Sequence, residues 1–478
     1  MAATRLVWFR QDLRIHDNNA LASACRDKNA RVIALFLVTP EQWCQHTMAP
    51  RQAWFIREHV KLLAASLAEM GIPFFIEEVS DYAACIPFLQ DFCRNHQVNE
   101  LFYHYQYALN ELHRDAAVEK ALGKDVICQG FDDGVILAPG SVTTGNGSMY
   151  KVFTPFSRAC LRRLQEDIPA CAAVPNPRGD GIPITHTPRF TYPVTALDRE
   201  LFPPGEEEAL KRLKAFCQED VVKYDDYRDF PAIRGTSLLS PWLSIGALSP
   251  RQCLWQLLAK YPDALSGGEG FVWLKELLWR DFYRHTMVAH PEICRGEPLL
   301  GWTKSISWRH DPGGLKAWQQ GMTGFPIVDA AMRQLNTLGW MHNRLRMIVA
   351  SFLVKDLRID WREGERYFIS QLADGDFASN NGGWQWAAST GTDAQPWFRI
   401  FNPTTQGQKF DAKGDFIRRW IPELNEIPDN ALHAPHEWAR QHNKTLDYPG
   451  PIVDHRQQRE LTLAAWQRAR KRTQRNEK

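Results

Sequence analysis

Residues 372–403, LADGDFASNNGGWQWAASTGTDAQPWFRIFNP, set two carboxylates one residue apart, Asp374 and Asp376 around Gly375. An Asn380–Asn381 pair, a Gly382–Gly383 pair and three tryptophans, Trp384, Trp386 and Trp397, follow. A bland core needs no such mixture. Polar groups that demand partners beside large aromatics suit a pocket for a flat ligand with polar edges. Asp374 and Asp376 could ligate a divalent metal, but no His or Glu ligand stands near them, so no metal is expected. As acceptors they suit hydroxyls and protonated ring edges.

Three other segments carry similar chemistry. In GFVWLKELLWRDFYRH, Trp273, Glu276 and Arg280 fall at i, i+3 and i+7, one face of a helix, with Trp279 three beyond Glu276. Buried, both charges need partners; solvated, Glu276 and Arg280 form an ordinary i,i+4 pair. In AAMRQLNTLGWMHNRLRMIVASFLVKDL, Trp340, Asn343, Arg344 and Met347 share helical spacing, which predicts an amide midway along an apolar face. RGTSLLSPWLSIGALSPRQ brings Thr236, Ser237 and Ser240 before a helix start at Ser249-Pro250. Its hydroxyls and free N–H groups suit a pyrophosphate, or simply cap the helix.

These segments need a scaffold. Five short runs, RLVWFR, RVIALFLV, PFFIEEV, ELFYHY and DVICQGF, read as strands. Helical patterns near 18–26, 51–70, 81–96 and 108–122 separate them. Strand and helix in alternation predict a parallel sheet with right-handed crossovers over residues 1–137. No GxGxxG follows the first strand, so a dinucleotide fingerprint is absent. Residues 138–220 read as a connector, because Pro169, Pro175, Pro177, Pro183, Pro188, Pro193, Pro203 and Pro204 forbid long helices and central strands. Residues 221–478 read as all-helical, with clear helices at 269–290, 328–357 and 362–372.

Bulk properties narrow the class. At 478 residues, 44% hydrophobic and 23% charged, the chain is of ordinary globular composition with room for two or three domains. No apolar run approaches the ~20 residues of a membrane span. The N-terminus lacks a signal-peptide layout and reads directly as a strand. Ten cysteines without a CxxC pair read as reduced, mostly buried thiols of a cytosolic protein. Net charge is only +2, yet residues 456–478 carry eight Lys/Arg against two acidic residues. A solvated tail explains that run. Fifteen of the 18 tryptophans lie beyond residue 240, marking a chemically distinct C-terminal half.

In sequence order, LVWFRQDLRIHDN, YKVFTPF, GTSLLSPWLSIGALSPRQ, WLKELLWRDFYRH, GWMHNRLRM and DGDFASNNGGWQWAASTGTD cover essentially the whole chain. Together they resemble the class I cyclobutane pyrimidine dimer photolyases of bacterial type, within the photolyase/cryptochrome family. The resemblance implies a Rossmann-like sheet domain, a long connector and a helical domain holding FAD. The FAD contacts it implies are Tyr224, Thr236, Ser237, Leu238, Leu239, Ser240, Trp273, Arg280, Asn343, Arg346, Asp374, Gly375, Asp376 and Asn380. Asn380 would face flavin N5. Plant cryptochromes carry Asp there, so Asn380 favours repair over signalling.

The implied substrate is a pyrimidine dimer flipped out of ultraviolet-damaged DNA, which receives an electron from excited, reduced, anionic FAD. Trp279 and Trp386 would wall the dimer, Glu276 would hydrogen-bond its 5′ base, and Asn343 and Met347 would line the cavity. Arg228, Arg344, Arg399 and Gln406 would hold the flanking backbone. Trp384, Trp361 and Trp308 match the chain that carries electrons to oxidised flavin. In the sheet domain, His46, Asn110 and Glu111, with Cys294 and Arg295, match a site for a methenyltetrahydrofolate antenna; a deazaflavin is the alternative. The family pattern implies a monomer acting on nucleoid DNA in a bacterial cytoplasm.

Three positions depart from the pattern. Arg295 stands where close relatives have Lys, Leu238 where Arg is common, and Trp397 where Tyr is common. Leu238 should matter little if its backbone alone meets FAD. Three rival readings are a cryptochrome-like blue-light receptor, a photolyase for the (6-4) photoproduct and a flavoprotein that merely binds damaged DNA. Against the first stand Glu276, Trp279, Met347 and Asn380 together. Against the second, the expected His pair is reduced to His342.

Overall fold

The computed structural model describes residues 3–184 and 189–476. Met1, Ala2, Pro188, Glu477 and Lys478, which entered the readings of the first strand, connector and tail, lie outside the described residues. The chain divides into two compact units. The first comprises Met1–Val222, Ser237–Pro291 and Ala373–Ala378; the second comprises Lys223–Thr236, Glu292–Leu372 and Ser379–Lys478.

The first unit is built on the five runs read as strands. They form β1 (Thr4–Phe9), β2 (Arg31–Val38), β3 (Phe74–Glu78), β4 (Val98–His104) and β5 (Ile127–Phe131). Every pairing is parallel, in the order β3-β2-β1-β4-β5. Strands buried on both faces read as continuous apolar runs, as β1 and β2 do. Leu6, Trp8, Ile33, Leu35, Leu101 and Tyr103 pack one face against Leu89 and Phe92 of the Tyr82–Asn95 helix and Val118 of the Leu109–Leu122 helix.

A doubly wound sheet offers ligands a crevice where the strand order reverses. Here that place, beyond the ends of β1 and β4, is filled with charge. Arg10 reaches Asp115 at 2.5 Å and the carbonyl of His104, while Asp12 holds His104 Nδ1 at 2.6 Å. Nearby, Asp133 joins Arg14 at 2.7 Å and Arg251 at 2.8 Å. The two guanidiniums hold its carboxyl far below the usual range against the cost of burial. All of these side chains are buried. The missing GxGxxG therefore has a structural counterpart: the switch point is closed by ion pairs.

The span from 138 to 220 is less irregular than its prolines imply. A helix at Phe153–Glu166 precedes the proline-rich stretch and another at Glu206–Ala215 follows it. Among the described residues between them there is neither helix nor strand.

The second unit is helical around one large core. The long helix expected over 328–357 is broken. Its first part, Pro326–Leu338, ends at Gly339, whose φ of +69° is left-handed. A second helix runs Asn343–Ser351 and passes into a π-helical turn at Phe352–Asp356. Apolar periodicity continues on both sides of the break, which is why the sequence reads as one helix. All ten cysteines are free, six of them buried. Among the described residues no helix is long and apolar enough to cross a membrane.

Lys355 lies in that π-helical turn with no exposed surface. It donates to Ser389 Oγ at 2.9 Å and lies 4.4 Å over the Trp466 ring. Burial lowers its ammonium to about 7. The unfolded chain therefore binds an extra proton between about pH 7 and about pH 10, and the cost of this site to stability fades as pH rises through that window. Lys355→Met should be more stable than wild type by ~2 kcal/mol at pH 6.5. Urea titrations should show the difference shrinking by pH 10, other groups cancelling in the comparison. The same difference at both pH values would show that the buried ammonium is not the cause.

Candidate flavin and DNA-repair site

In the first unit the Phe271–Ala289 helix carries Trp273, Glu276, Trp279 and Arg280. Asp281 anchors it by accepting from the Ile136 and Leu137 N–H groups at 2.9 and 3.1 Å. Trp273 is buried against Phe216, and Trp279 stacks face to face on Phe153 at 3.8 Å. Glu276 is half-buried. Arg280 donates to the carbonyls of Gly134 and, at 3.1 Å, Leu243. Burial lowers its guanidinium to about 10, with Arg284 adding to the effect and Asp376 opposing it.

Arg284, which sequence reasoning missed, binds Asp376 at 3.0 Å. The available signal was its place one turn beyond Arg280. Gln52 Nε2 donates to Gly375 O at 2.6 Å, and Asp374 is buried. The Asp374–Asp376 turn is thus fixed beside two arginines. That set suits an anionic or hydroxyl-rich ligand, with carboxylates as acceptors and guanidiniums as donors. Among the described residues no cluster of three His, Cys, Asp or Glu is placed to hold a metal.

Two parts of the Ser/Thr segment behave differently. The helix start at Pro250 is closed by its own capping box: Ser249 Oγ accepts from Gln252 N–H at 3.0 Å, and Gln252 Oε1 accepts from Ser249 N–H at 2.8 Å. The capping box engages both the Ser249 and the Gln252 N–H groups, as ordinary capping of that helix would. Thr236, Ser237 and Ser240 are half-buried and Leu239 is buried. Leu238 has φ +55°, costly for a residue with a Cβ by roughly 1–2 kcal/mol. Held strain of this kind clusters at ligand sites.

In the second unit Asn380 Nδ2 donates to Glu365 O at 3.0 Å. This fixes the amide and leaves Oδ1 as its acceptor for a ligand N–H. Asn381 Nδ2 donates to Glu365 Oε1 at 2.8 Å, and burial raises the Glu365 carboxyl to about 7. One turn from Asn380, a side chain added at half-buried Gly383 would meet nothing within 4 Å. A mid-helix glycine over open space has no packing reason among the described residues, and the space fits a ligand lying along that face. In each unit taken by itself, these donors and acceptors fit the polar edges of a cofactor such as FAD.

Asn343 is the first residue of the Asn343–Ser351 helix and is exposed, not a buried amide midway along a face as the spacing implied. Trp340 precedes that helix; Arg344 and Met347 are on it, 3.7 Å apart from guanidinium to sulfur. Arg344 is bound to Asp229 at 2.8 Å and lies 4.6 Å over Phe410. Gln406 sits one turn before Phe410 in the Pro403–Phe410 helix. Arg228 is next to Asp229 and 5.9 Å over Tyr224, while Arg399 is exposed elsewhere on the unit. Arg346 Nε donates to Met341 O at 2.8 Å. Trp386 is half-buried against the core.

Trp384 and Trp361 are buried and Trp308 is half-buried. A methyl on Gly364 would collide with the Trp384 ring, so glycine lets that ring lie on the Trp361–Gln371 helix, one turn from Trp361. Arg309 N–H donates to Arg358 O at 2.8 Å, tying the chain beside Trp308 to the lead-in of the same helix. For the antenna residues, Asn110 Nδ2 meets His46 Nε2 at 3.0 Å and Tyr82 donates to Glu111 at 2.9 Å. Cys294 is half-buried and Arg295 exposed, both in the second unit.

A parallel sheet unit and a helical unit, each carrying polar groups that suit a flat, polar-edged ligand, fit the class of nucleotide-cofactor-binding proteins. Family models described as DNA photolyase and FAD binding domain of DNA photolyase match residues 5–176 and 273–468. The chain belongs to the DNA photolyase family. The deoxyribodipyrimidine photo-lyase of Escherichia coli (strain K12) is 57% identical over 470 residues, 98% of this chain and 99% of that one. Among solved structures, a class III photolyase from Agrobacterium tumefaciens has TM-score 0.84 at 34% identity, covering 98% of both chains. A Synechocystis sp. PCC6803 cryptochrome has TM-score 0.82 at 30% identity, covering 97% of this chain and 99% of that one. The fold alone therefore does not separate repair from signalling; sequence identity over the whole length does.

Proposed function

We propose that this protein repairs cyclobutane pyrimidine dimers in DNA with light, as a carbon–carbon lyase. The observation that carries this is the 57% identity, end to end, to a deoxyribodipyrimidine photo-lyase. Bound FAD, reduced and excited, would supply one electron to the lesion. The chain supplies the rest. Arg280, Arg284, Asp374 and Asp376 would hold the cofactor's polar groups, with the strained turn at Leu238 near its phosphates. Asn380, oriented by its Nδ2 donation to the Glu365 carbonyl, would accept from the ring edge through Oδ1. Trp279 and Trp386 would pack the flipped bases, since stacking contributes roughly 1–3 kcal/mol per base. Arg228, Arg344 and Arg399 would contact phosphates, so affinity should fall with salt. The Asp229 partner of Arg344 must then be displaced or shared.

The test is the absorption spectrum of the purified protein, followed by illumination with DNA carrying a defined dimer. Flavin bands and light-dependent loss of dimers support the proposal; flavin bands with dimers intact overturn it.

For the antenna, methenyltetrahydrofolate is favoured over a deazaflavin. The His46–Asn110 contact and the Glu111 carboxylate form a polar site suited to the amide and amine edge of a folate. Glu111→Ala should remove most near-ultraviolet absorbance after folate reconstitution and leave FAD content unchanged. Pigment content equal to wild type would place the folate elsewhere.

A further inference from the structure

Near the outer end of the tryptophan series stand three arginines with one paired carboxylate among the described residues. Arg309 follows Trp308 directly and hydrogen-bonds through its N–H to Arg358 O. Arg358 has φ +57°, and its buried Nε has no hydrogen-bond partner among the described residues. Arg468 lies two residues beyond Trp466, whose ring meets Trp308 edge-on at 5.3 Å. Burial, then Arg309 and Arg468, make the Arg358 guanidinium less basic. Asp311, 3.2 Å from Arg309, is the one carboxylate paired with the trio among the described residues. Like charges gathered this closely are costly unless an anion joins them.

We infer that Arg309, Arg358 and Arg468 form a docking site for a small anionic one-electron reductant that restores Trp308. The inference rests on reading Trp384, Trp361 and Trp308 as an electron relay. When an electron is drawn inward, the Trp308 ring is left one electron short. A docked donor of the ascorbate monoanion type passes one electron to the oxidised Trp308 ring and releases one proton to solvent. The donor becomes its radical anion, Trp308 returns to its closed-shell state, and no bond to the protein forms or breaks. The basic run read as a solvated tail is instead part of the His455–Asn476 helix with Trp466 buried, and through Arg468 it acquires a role beyond solubility.

Anion attraction can be read without repair activity. In the holoprotein, the fluorescence lost in Trp308→Phe defines the share of Trp308. Iodide should quench that share ~3–10-fold more strongly in wild type than in Arg358→Gln/Arg468→Gln, while neutral acrylamide quenches both alike. In flash experiments, ascorbate should clear the tryptophan radical absorbance faster than a neutral hydroquinone does. That preference should shrink in the double variant and at high salt. Arg468→Gln alone, on an exposed helix face, should show part of the effect without risk to the fold. Equal iodide quenching in wild type and variants overturns the inference, as does weakened DNA binding with donor preference intact. Light-driven flavin reduction that survives Trp308→Phe would instead overturn the relay reading.

Discussion

Trp308→Phe keeps its flavin but no longer reduces it under light in buffer with an external thiol; the yield falls to background. Phenylalanine fills much of the space of tryptophan but is far harder to oxidise, so the change removes a redox step and little packing. The expectation follows from the burial gradient. Trp384 and Trp361 are enclosed in the core of the helical unit, and Trp308 is the member of the three that solvent reaches. Gly364 holds Trp384 against the helix that begins with Trp361, and the Arg309–Arg358 hydrogen bond brings Trp308 to the same helix start. Repair by chemically reduced protein should be unchanged, because Glu276, Trp279 and Trp386 are untouched. Steady-state absorbance during illumination reads the first outcome and dimer chromatography the second. Full photoreduction in the variant would show that electrons enter by another route. Trp318, whose ring is 5.9 Å from Trp384, is the first place to look for one.

The elements were legible where their signal is local. Each of the five sheet runs is a short block of branched and aromatic residues, and each forms a strand where expected. The Pro50–Glu69 and Tyr82–Asn95 helices differ from the sequence reading by a residue at each end. What escaped the sequence depends on partners far along the chain. Arg284 looks like any helix cation until Asp376, 92 residues later, is brought to it. Glu365 gains importance only because Asn380 and Asn381 fold back on it. The interruption at Gly339 was hidden because Met341, Leu345 and Ile348 keep the chain apolar across it. The exposure of Asn343 follows from that interruption, since the first residue of a helix need not share the buried face of the preceding one.

Lesion choice is the largest prediction for function: cyclobutane dimers are reversed in light, and (6-4) photoproducts are left intact from pH 5 to pH 9. The residue that matters for the second half is His342, where the (6-4) activity would need a proton-donating pair. His342 is buried, and its Nδ1 accepts from the Arg344 N–H at 3.2 Å to cap the Asn343–Ser351 helix. Burial lowers its imidazole to about 4, with Arg344 and Arg346 contributing and Asp229 opposing. It is therefore neutral throughout the tested range and already used as a cap. For the cyclobutane dimer the side chain proposed to hydrogen-bond the lesion is Glu276, on the Trp279 helix. A hydrogen bond to a charged group contributes about 1.5–3 kcal/mol, so Glu276→Ala should slow opening of the dimer radical anion on the order of tenfold. Product per photon should fall less, because opening competes with return of the electron. Flavin content should stay at the wild-type level, separating loss of catalysis from loss of cofactor. The assay is chromatography of each defined lesion after blue light, with fully reduced protein. Repair of the (6-4) lesion would require a proton donor other than His342. Intact cyclobutane dimers under the same light would remove repair altogether and favour a signalling role.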